Sequence, residues 1–271
     1  MDVGYNSRPH MTNQDQILVG IPVFNESKFV DDVLQEVLTY APHVLVIDDG
    51  STDDTPARLA NHPVKIVRHA VNRGYGRSTR DMLHWAAQDG FEWLITMDCD
   101  LQHEPALIPD FRERLSKGDV DFISGSRYAS PSDTDHMPPP DRREVNQIVT
   151  RELNERLGLN LTDGFCGFKA YRVSSCCDMR LDVDGYDFPM QFWVQAVAAN
   201  LKIDELPVSL IYNDPNRSFG GPLDDQQRRL RHYRSTLHEE IIRCSSRLPD
   251  SAMVDLDLKE YESETPGASH G

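Results

Sequence analysis

Apolar residues in this chain fall into two alternating patterns. Short unbroken runs bounded by polar residues predict buried strands, and runs with apolar positions three and four apart predict helices. Gln16–Val23, Val44–Ile47, Val64–Val67, Trp93–Asp98 and Asp121–Gly125 are the strand-like runs of the first half. Between them, Phe29, Val30, Val33, Leu34, Val37 and Leu38 recur at helical spacing. A short helix is predicted over Arg58 and Leu59, capped by Thr52 or Asp53, and further helices run from Asn72 to about Asp89 and from Pro105 to Lys117. Such repeated strand–helix alternation predicts an α/β fold with a mostly parallel central sheet flanked by helices.

The second half is less regular. Residues 129–143 lack periodicity, and the three prolines Pro138, Pro139 and Pro140 argue against a helix there. This stretch reads as a lid or acceptor loop. Helices are predicted over Glu144–Leu157 and Asp187–Asn200, a strand over Ile203–Tyr212, and a long helix over Asp224–Arg247. That last helix has a narrow apolar stripe of Leu230, Tyr233, Leu237 and Ile241 beside several arginines. It suits packing on the main domain first, and a membrane surface or a partner second. There are no internal repeats.

Composition narrows the class. At 271 residues and 39% hydrophobic, the chain can bury a sizeable core. No run approaches the eighteen or so apolar residues of a membrane span. The first fifteen residues lack the apolar segment of a secretory signal. Five cysteines without CxxC spacing argue against zinc and against a disulfide framework, so a reducing cytoplasm is expected. A net charge of −16 disfavours nucleic acid as a partner.

Polar clusters stand just beyond the carboxyl ends of the predicted strands, where open α/β sheets bind ligands. They are Asn25-Glu26, Asp48-Asp49, Asp98-Cys99-Asp100 and Ser126-Arg127. Carboxylates one residue apart, as in Asp98 and Asp100, either share a hard divalent cation or cap the next helix. The first strand leads into PVFNES rather than GxGxxG, and no P-loop is present, which argues against a dinucleotide-binding dehydrogenase.

The strings IPVFNES, VLVIDDGSTDDT, NRGYGRSTR, MDCDLQH and ISGSRY, in this order, resemble the family 2 glycosyltransferases of GT-A fold. The branch they are most similar to is the dolichol-phosphate mannosyltransferase-like, or polyprenyl-phosphate glycosyltransferase, branch. The resemblance covers about Ile17 to Tyr128 and continues more loosely to about Gly220. It implies a GT-A domain over residues 16–222, with a nucleotide-sugar half (16–128) and an acceptor half (129–222). A C-terminal helix (223–248) follows. Residues 1–15 and the acidic residues 249–271 are expected to be disordered.

The resemblance also implies roles. Pro22, Phe24 and Glu26 would line the nucleotide pocket, with Ile47 and Asp49 reading the base. Asp98, Asp100 and Gln102 would hold Mg²⁺ or Mn²⁺ on the donor diphosphate. Arg127 would lie near the reacting phosphate, with Lys169 and Arg217 adding positive charge. The implied reaction moves a sugar, with inversion, from a GDP- or UDP-sugar to a polyprenyl or dolichyl phosphate, with mannose from GDP-mannose as the first expectation. Such an acceptor would be met at the cytoplasmic membrane face, peripherally or through a membrane-protein partner.

The chain departs from the family pattern on its acceptor side. Pro222-Leu223 replaces the Ser-Lys of the RxxGxSK loop, Arg142 is followed by Asn146 where the family has serine, and Gln191 stands where glutamate is usual. Two acceptors therefore stay open. A lipid phosphate needs cations, with Arg127 and Arg142 the candidates. A hydroxyl acceptor needs a base, with Asp163 and Asp187 the candidates. A non-catalytic nucleotide-sugar-binding protein is the alternative of another class.

Overall fold

The computed structural model describes residues 16–129, 140–209, 211 and 221–256. Seven strands form one sheet in the order β3-β2-β1-β4-β6-β5-β7. They are β1 (Ile17–Val23), β2 (Val44–Asp48), β3 (Lys65–Arg68), β4 (Trp93–Thr96), β5 (Phe122–Ser126), β6 (Lys169–Arg172) and β7 (Ile203–Pro207). All neighbouring pairs are parallel except those of β6, which runs antiparallel to both β4 and β5.

The central strands are continuous apolar runs because helices cover both of their faces. Alternate residues serve two cores. Ile17, Val19, Ile21 and Val23 pack with Val44 and Val46 on one side, against α1 (Val30–Tyr40) and α4 (Ile108–Ser116). Leu18, Leu45 and Ile47 face the other side. There they meet α3 (Tyr75–Asp89), α5 (Pro140–Leu157), α7 (Phe188–Ala198) and α8 (Gln226–Cys244). The short helices α2 (Thr55–Leu59) and α6 (Val173–Cys176) complete the set. The N-cap position of α2 is Asp54, without a side-chain cap bond, so neither Thr52 nor Asp53 occupies it; Asp53, one residue earlier, accepts the Thr55 amide on Oδ1 at 3.0 Å.

Several expected boundaries move. α5 starts at Pro140, four residues before the expected Glu144. Proline at a first helical position loses no hydrogen bond, since that amide has no partner in any helix. Arg142 therefore sits on a helix, while residues 130–139 of the expected lid lie outside the described residues. β7 ends at Pro207 rather than Tyr212. β6 was not expected at all. The apolar stripe of α8 packs on the domain, with Tyr233, Leu237 and Ile241 buried against α7 and α5. The chain beyond Leu248 continues into a 3-10 turn at Asp250–Met253, with Ala252 buried and its carbonyl accepting from Arg156. Among the described residues no helix is long and apolar enough to cross a membrane. The cysteines are all free.

Candidate active site

The strand order reverses direction between β1 and β4, and a crevice opens there beyond the strand ends. It is a cavity of about 850 Å³. The loops after β1, β2, β4 and β5 line one part of it, and α3, α5, α7 and α8 line the rest.

The loop after β1 is held by Asn25, whose backbone is left-handed (φ 56°). Its Oδ1 accepts the amides of Thr52 and Asp53, and its own amide donates to Ser51 Oγ at 2.9 Å. This tie joins the first two loops and leaves Pro22, Phe24 and Glu26 lining the cavity. Asp48 and Asp49 have separate tasks. Asp48 accepts the Ser51 amide at 2.9 Å and pairs with Arg68. Asp49 lines the cavity and anchors the amides of Arg73 and Gly74, each at 2.8 Å. Between them and Ser51, Gly50 (φ 76°) passes so close to the neighbouring loop that a Cβ would sit 2.7 Å from Asn72 N.

Beyond β4, Asp98, Asp100 and Gln102 all reach the cavity. The turn is tight: Leu101 is left-handed (φ 58°), and Asp100 Oδ1 accepts the Gln102 amide at 3.0 Å. The Asp98 amide donates to His103 Nδ1 at 3.0 Å, which fixes the start of the turn. The Asp98 carboxylate lies over Gly167, where a Cβ would overlap Oδ2 and sit 2.8 Å from Cγ. Only glycine leaves room for that carboxylate. Among the described residues no three acidic, His or Cys side chains gather into a closed metal site. Two carboxylates at an open cavity suit Mg²⁺ or Mn²⁺, which take their other oxygens from phosphate and water.

Arg127, beyond β5, is fixed from below by Asp163. Nε donates to Oδ2 at 2.6 Å, Nη2 to Oδ1 at 2.9 Å and the backbone amide to Oδ2 at 3.2 Å. Asn146 Nδ2 and the Phe165 amide donate to Oδ1 as well. Burial would raise the Asp163 carboxyl, but Arg127 and these donors hold it far below the usual carboxylate range. Glu205, whose own carboxyl burial pushes upward, accepts the amides of Thr162 and Asp163 and secures the turn.

The structure thus brings Pro22, Phe24, Glu26, Asp49, Asp98, Asp100, Gln102, Arg127 and Arg142 to one cavity. It does not bring Ile47, Lys169 or Asp163 there. Ile47 is buried in the core beneath it. Lys169 is 3% exposed and donates to the Cys166 carbonyl, and burial lowers its ammonium pKa. Asp163 is fully buried under Arg127, in no position to receive a proton from an acceptor. Asp187, the other base candidate, is tied to Thr236 Oγ1 (2.6 Å) and His232 Nε2 (3.2 Å). Arg217 lies outside the described residues. Sequence patterns missed Tyr75, Tyr186, Arg229 and Tyr233 as lining residues. Arg229 and Tyr233 carry one signal, a spacing of four that puts both on one face of α8. Arg229 is buried and paired with Asp141 at 3.0 Å. A second cavity, of about 610 Å³ between β7 and the ends of α5 and α7, contains none of the expected site residues.

The Glycosyl transferase family 2 sequence model matches residues 18–179, which contain every strand-end loop of the cavity. The chain belongs to glycosyl transferase family 2. It is a glycosyltransferase of GT-A fold. The undecaprenyl-phosphate mannosyltransferase of Micrococcus luteus is 27% identical over 213 residues, 75% of this chain and 86% of that protein. The polyprenol monophosphomannose synthase of Mycolicibacterium smegmatis is 29% identical over 203 residues, 71% and 76% of the two chains. Among solved structures, glucosyl-3-phosphoglycerate synthase from Mycobacterium tuberculosis, in complex with Mn²⁺, UDP and glucosyl-3-phosphoglycerate, superposes with a TM-score of 0.65. It is 20% identical, with 90% of this chain and 87% of that one covered.

Proposed function

We propose that this glycosyltransferase moves a sugar from a nucleotide-sugar to a polyprenyl phosphate, with inversion at the anomeric carbon. The observation that carries the reading is the split of charges in the cavity. Carboxylates Glu26, Asp49, Asp98 and Asp100 come from the loops after β1, β2 and β4, and Arg127, Arg142 and Arg229 come from the loop after β5, from α5 and from α8. Both base candidates, Asp163 and Asp187, are committed to structural partners. A phosphate is already an anion near neutral pH and needs cations rather than a base. A hydroxyl nucleophile needs a carboxylate to take its proton.

Mannose from GDP-mannose is the proposed donor, supported by the two relatives named for mannose transfer. Asp98, Asp100 and Gln102 are the residues that would hold Mg²⁺ or Mn²⁺, which would neutralise charge growing on the leaving diphosphate. The chain's own residues do the rest. Pro22, Phe24, Glu26 and Asp49 seat the nucleotide. Arg127, held rigid by Asp163, draws the acceptor phosphate toward the anomeric carbon. A phosphate oxygen attacks, the bond from that carbon to the diphosphate breaks, and nucleoside diphosphate leaves. The acceptor lipid would be met peripherally, from the cytoplasmic face of the membrane.

Product analysis tests the reading. After incubation with GDP-mannose, Mg²⁺ and a short polyprenyl phosphate, a mannosyl-phospho-lipid is expected by mass spectrometry. A sugar attached instead to a hydroxyl acceptor would overturn it.

A further inference from the structure

We propose that Tyr233 donates its hydroxyl to the phosphate of the acceptor, beside Arg229, so that α8 supplies one wall of the acceptor site. The inference deepens the phosphate-acceptor reading above and rests on it. Tyr233 is 3% exposed and lines the cavity. Its ring packs on Phe165, with centroids 4.9 Å apart. Among the described residues its hydroxyl has no hydrogen-bond partner. Buried tyrosines usually satisfy that group, so an orphan hydroxyl at a cavity wall points to a ligand. The surroundings say which kind. The hydroxyl lies among Arg229, Arg142, Asp187 and Tyr186. Both arginines line the cavity. Asp187 is held by Thr236 Oγ1 and His232 Nε2, at 2.6 and 3.2 Å. Burial pushes the phenol up to about 12, against the pull of the arginines, so it keeps its proton and donates near neutral pH. A donor hydroxyl beside two guanidinium groups matches an oxyanion, and a phosphate monoester offers such donors three terminal oxygens.

The helix holds these groups in place. Arg229 and Tyr233 are four residues apart and share a face of α8. Further along the same stripe, Leu237 and Ile241 are fully buried in the core. Tyr233 stands where that stripe passes from the core to the cavity. Arg229 is set by two contacts: Nη2 donates to Asp141 Oδ2 at 3.0 Å, and Nη1 to the Leu223 carbonyl at 2.9 Å. Asp141 precedes Arg142 on α5, so one ion pair ties together the two helices that bring these arginines to the cavity. Asn146, also from α5 and at the cavity, is committed elsewhere. Its Nδ2 donates to Asp163 Oδ1 at 2.8 Å, and its Oδ1 accepts from Thr150 Oγ1 at 2.9 Å.

The test compares wild type with Tyr233→Phe and Arg229→Lys. The KM for a short polyprenyl phosphate is measured with a panel of GDP- and UDP-sugars and Mg²⁺. Calorimetric titration gives the Kd for butyl phosphate, a water-soluble monoester without the chain, in protein carrying GDP or UDP and Mg²⁺. Tyr233→Phe keeps the ring and breaks no hydrogen bond among the described residues, so its melting temperature should match wild type. Its KM for the lipid phosphate and its Kd for butyl phosphate should both rise about tenfold, as for loss of one hydrogen bond to a charged group, while the Kd for the nucleoside diphosphate holds. Arg229→Lys keeps the charge but loses the planar fork, and should weaken both phosphates too. If its melting temperature falls, Tyr233→Phe alone decides. Wild-type values for both phosphates in Tyr233→Phe would overturn the proposal. So would an effect on polyprenyl phosphate that butyl phosphate does not share, because the ring would then contact the chain. If wild type transfers nothing to polyprenyl phosphate yet Tyr233→Phe weakens butyl phosphate, the phosphate site stands and the lipid reading beneath it falls. Wild type that binds neither phosphate would overturn both.

Discussion

Replacing Asp163 with Asn tests how Arg127 is held. The substitution keeps the shape and removes one charge from a fully buried position. Five donors converge on that carboxylate: three groups of Arg127, Asn146 Nδ2 and the Phe165 amide. An asparagine offers one acceptor oxygen and turns an NH₂ toward donors. Breaking one partner of a buried pair costs about 3–5 kcal/mol. The Arg127 side chain keeps 24% exposure, so water recovers part of the lost interaction and about 3 kcal/mol is the expected loss. Transfer to polyprenyl phosphate should fall about a hundredfold, as for a charged group displaced by an ångström or so. Chemical denaturation reads the first quantity and initial rates the second. Asp163→Asn combined with Arg127→Gln should be less damaging than the sum of the two, because each removes the same pair. The acid limb gives a sign. A carboxyl held low in the fold stabilises it above its unfolded pKa, and that contribution is lost only as pH falls well below the usual carboxylate range. Asp163→Asn should flatten that limb. Wild-type transfer to lipid phosphate with loss of hydroxyl transfer alone would make Asp163 a base and refute this reasoning.

Three further outcomes follow from the same geometry. Gly167→Ala places a Cβ against the Asp98 carboxylate, so it should weaken Mn²⁺-dependent nucleotide binding at least tenfold while shifting stability little; calorimetric titration and a melting curve check both. Asp98→Asn or Asp100→Asn should remove the Mn²⁺ dependence of nucleotide binding, and a chelator should do the same to wild type. Burial would raise Glu152, but bonds from His238, Arg234 and Arg156 push it down to about 2. Its stabilisation is present above the ordinary carboxylate range and is lost as pH falls toward 2, so acid unfolding of Glu152→Gln should show a shallower pH dependence than wild type.

The strand ends were legible because fully buried parallel strands read as unbroken apolar runs. β1, β2, β4 and β5 were found that way, and so were the carboxylates that follow them. β6 escaped because only its two middle residues, Ala170 and Tyr171, are apolar between Lys169 and Arg172. Its antiparallel insertion between two other strands leaves no trace in local pattern. The start of α5 escaped because three prolines argue against a helix interior but not against a first turn. Depth was the other blind spot. Lys169 and Asp163 carry charge in the sequence, and nothing local reveals that one is buried under a carbonyl and the other under an arginine. Arg229 had the opposite fate, reading as a surface arginine on α8 while lining the cavity. Those facts arise from how α5, β6 and α8 pack, which is a tertiary property.

The most direct measurement is nucleoside diphosphate release from GDP-mannose with Mg²⁺, comparing a short polyprenyl phosphate with the same polyprenol lacking its phosphate. The account predicts release with the phosphate, none above background with the alcohol, and loss of the response in Arg127→Gln. Release that is equal with both lipids, or that needs a sugar hydroxyl instead, would contradict a phosphate nucleophile.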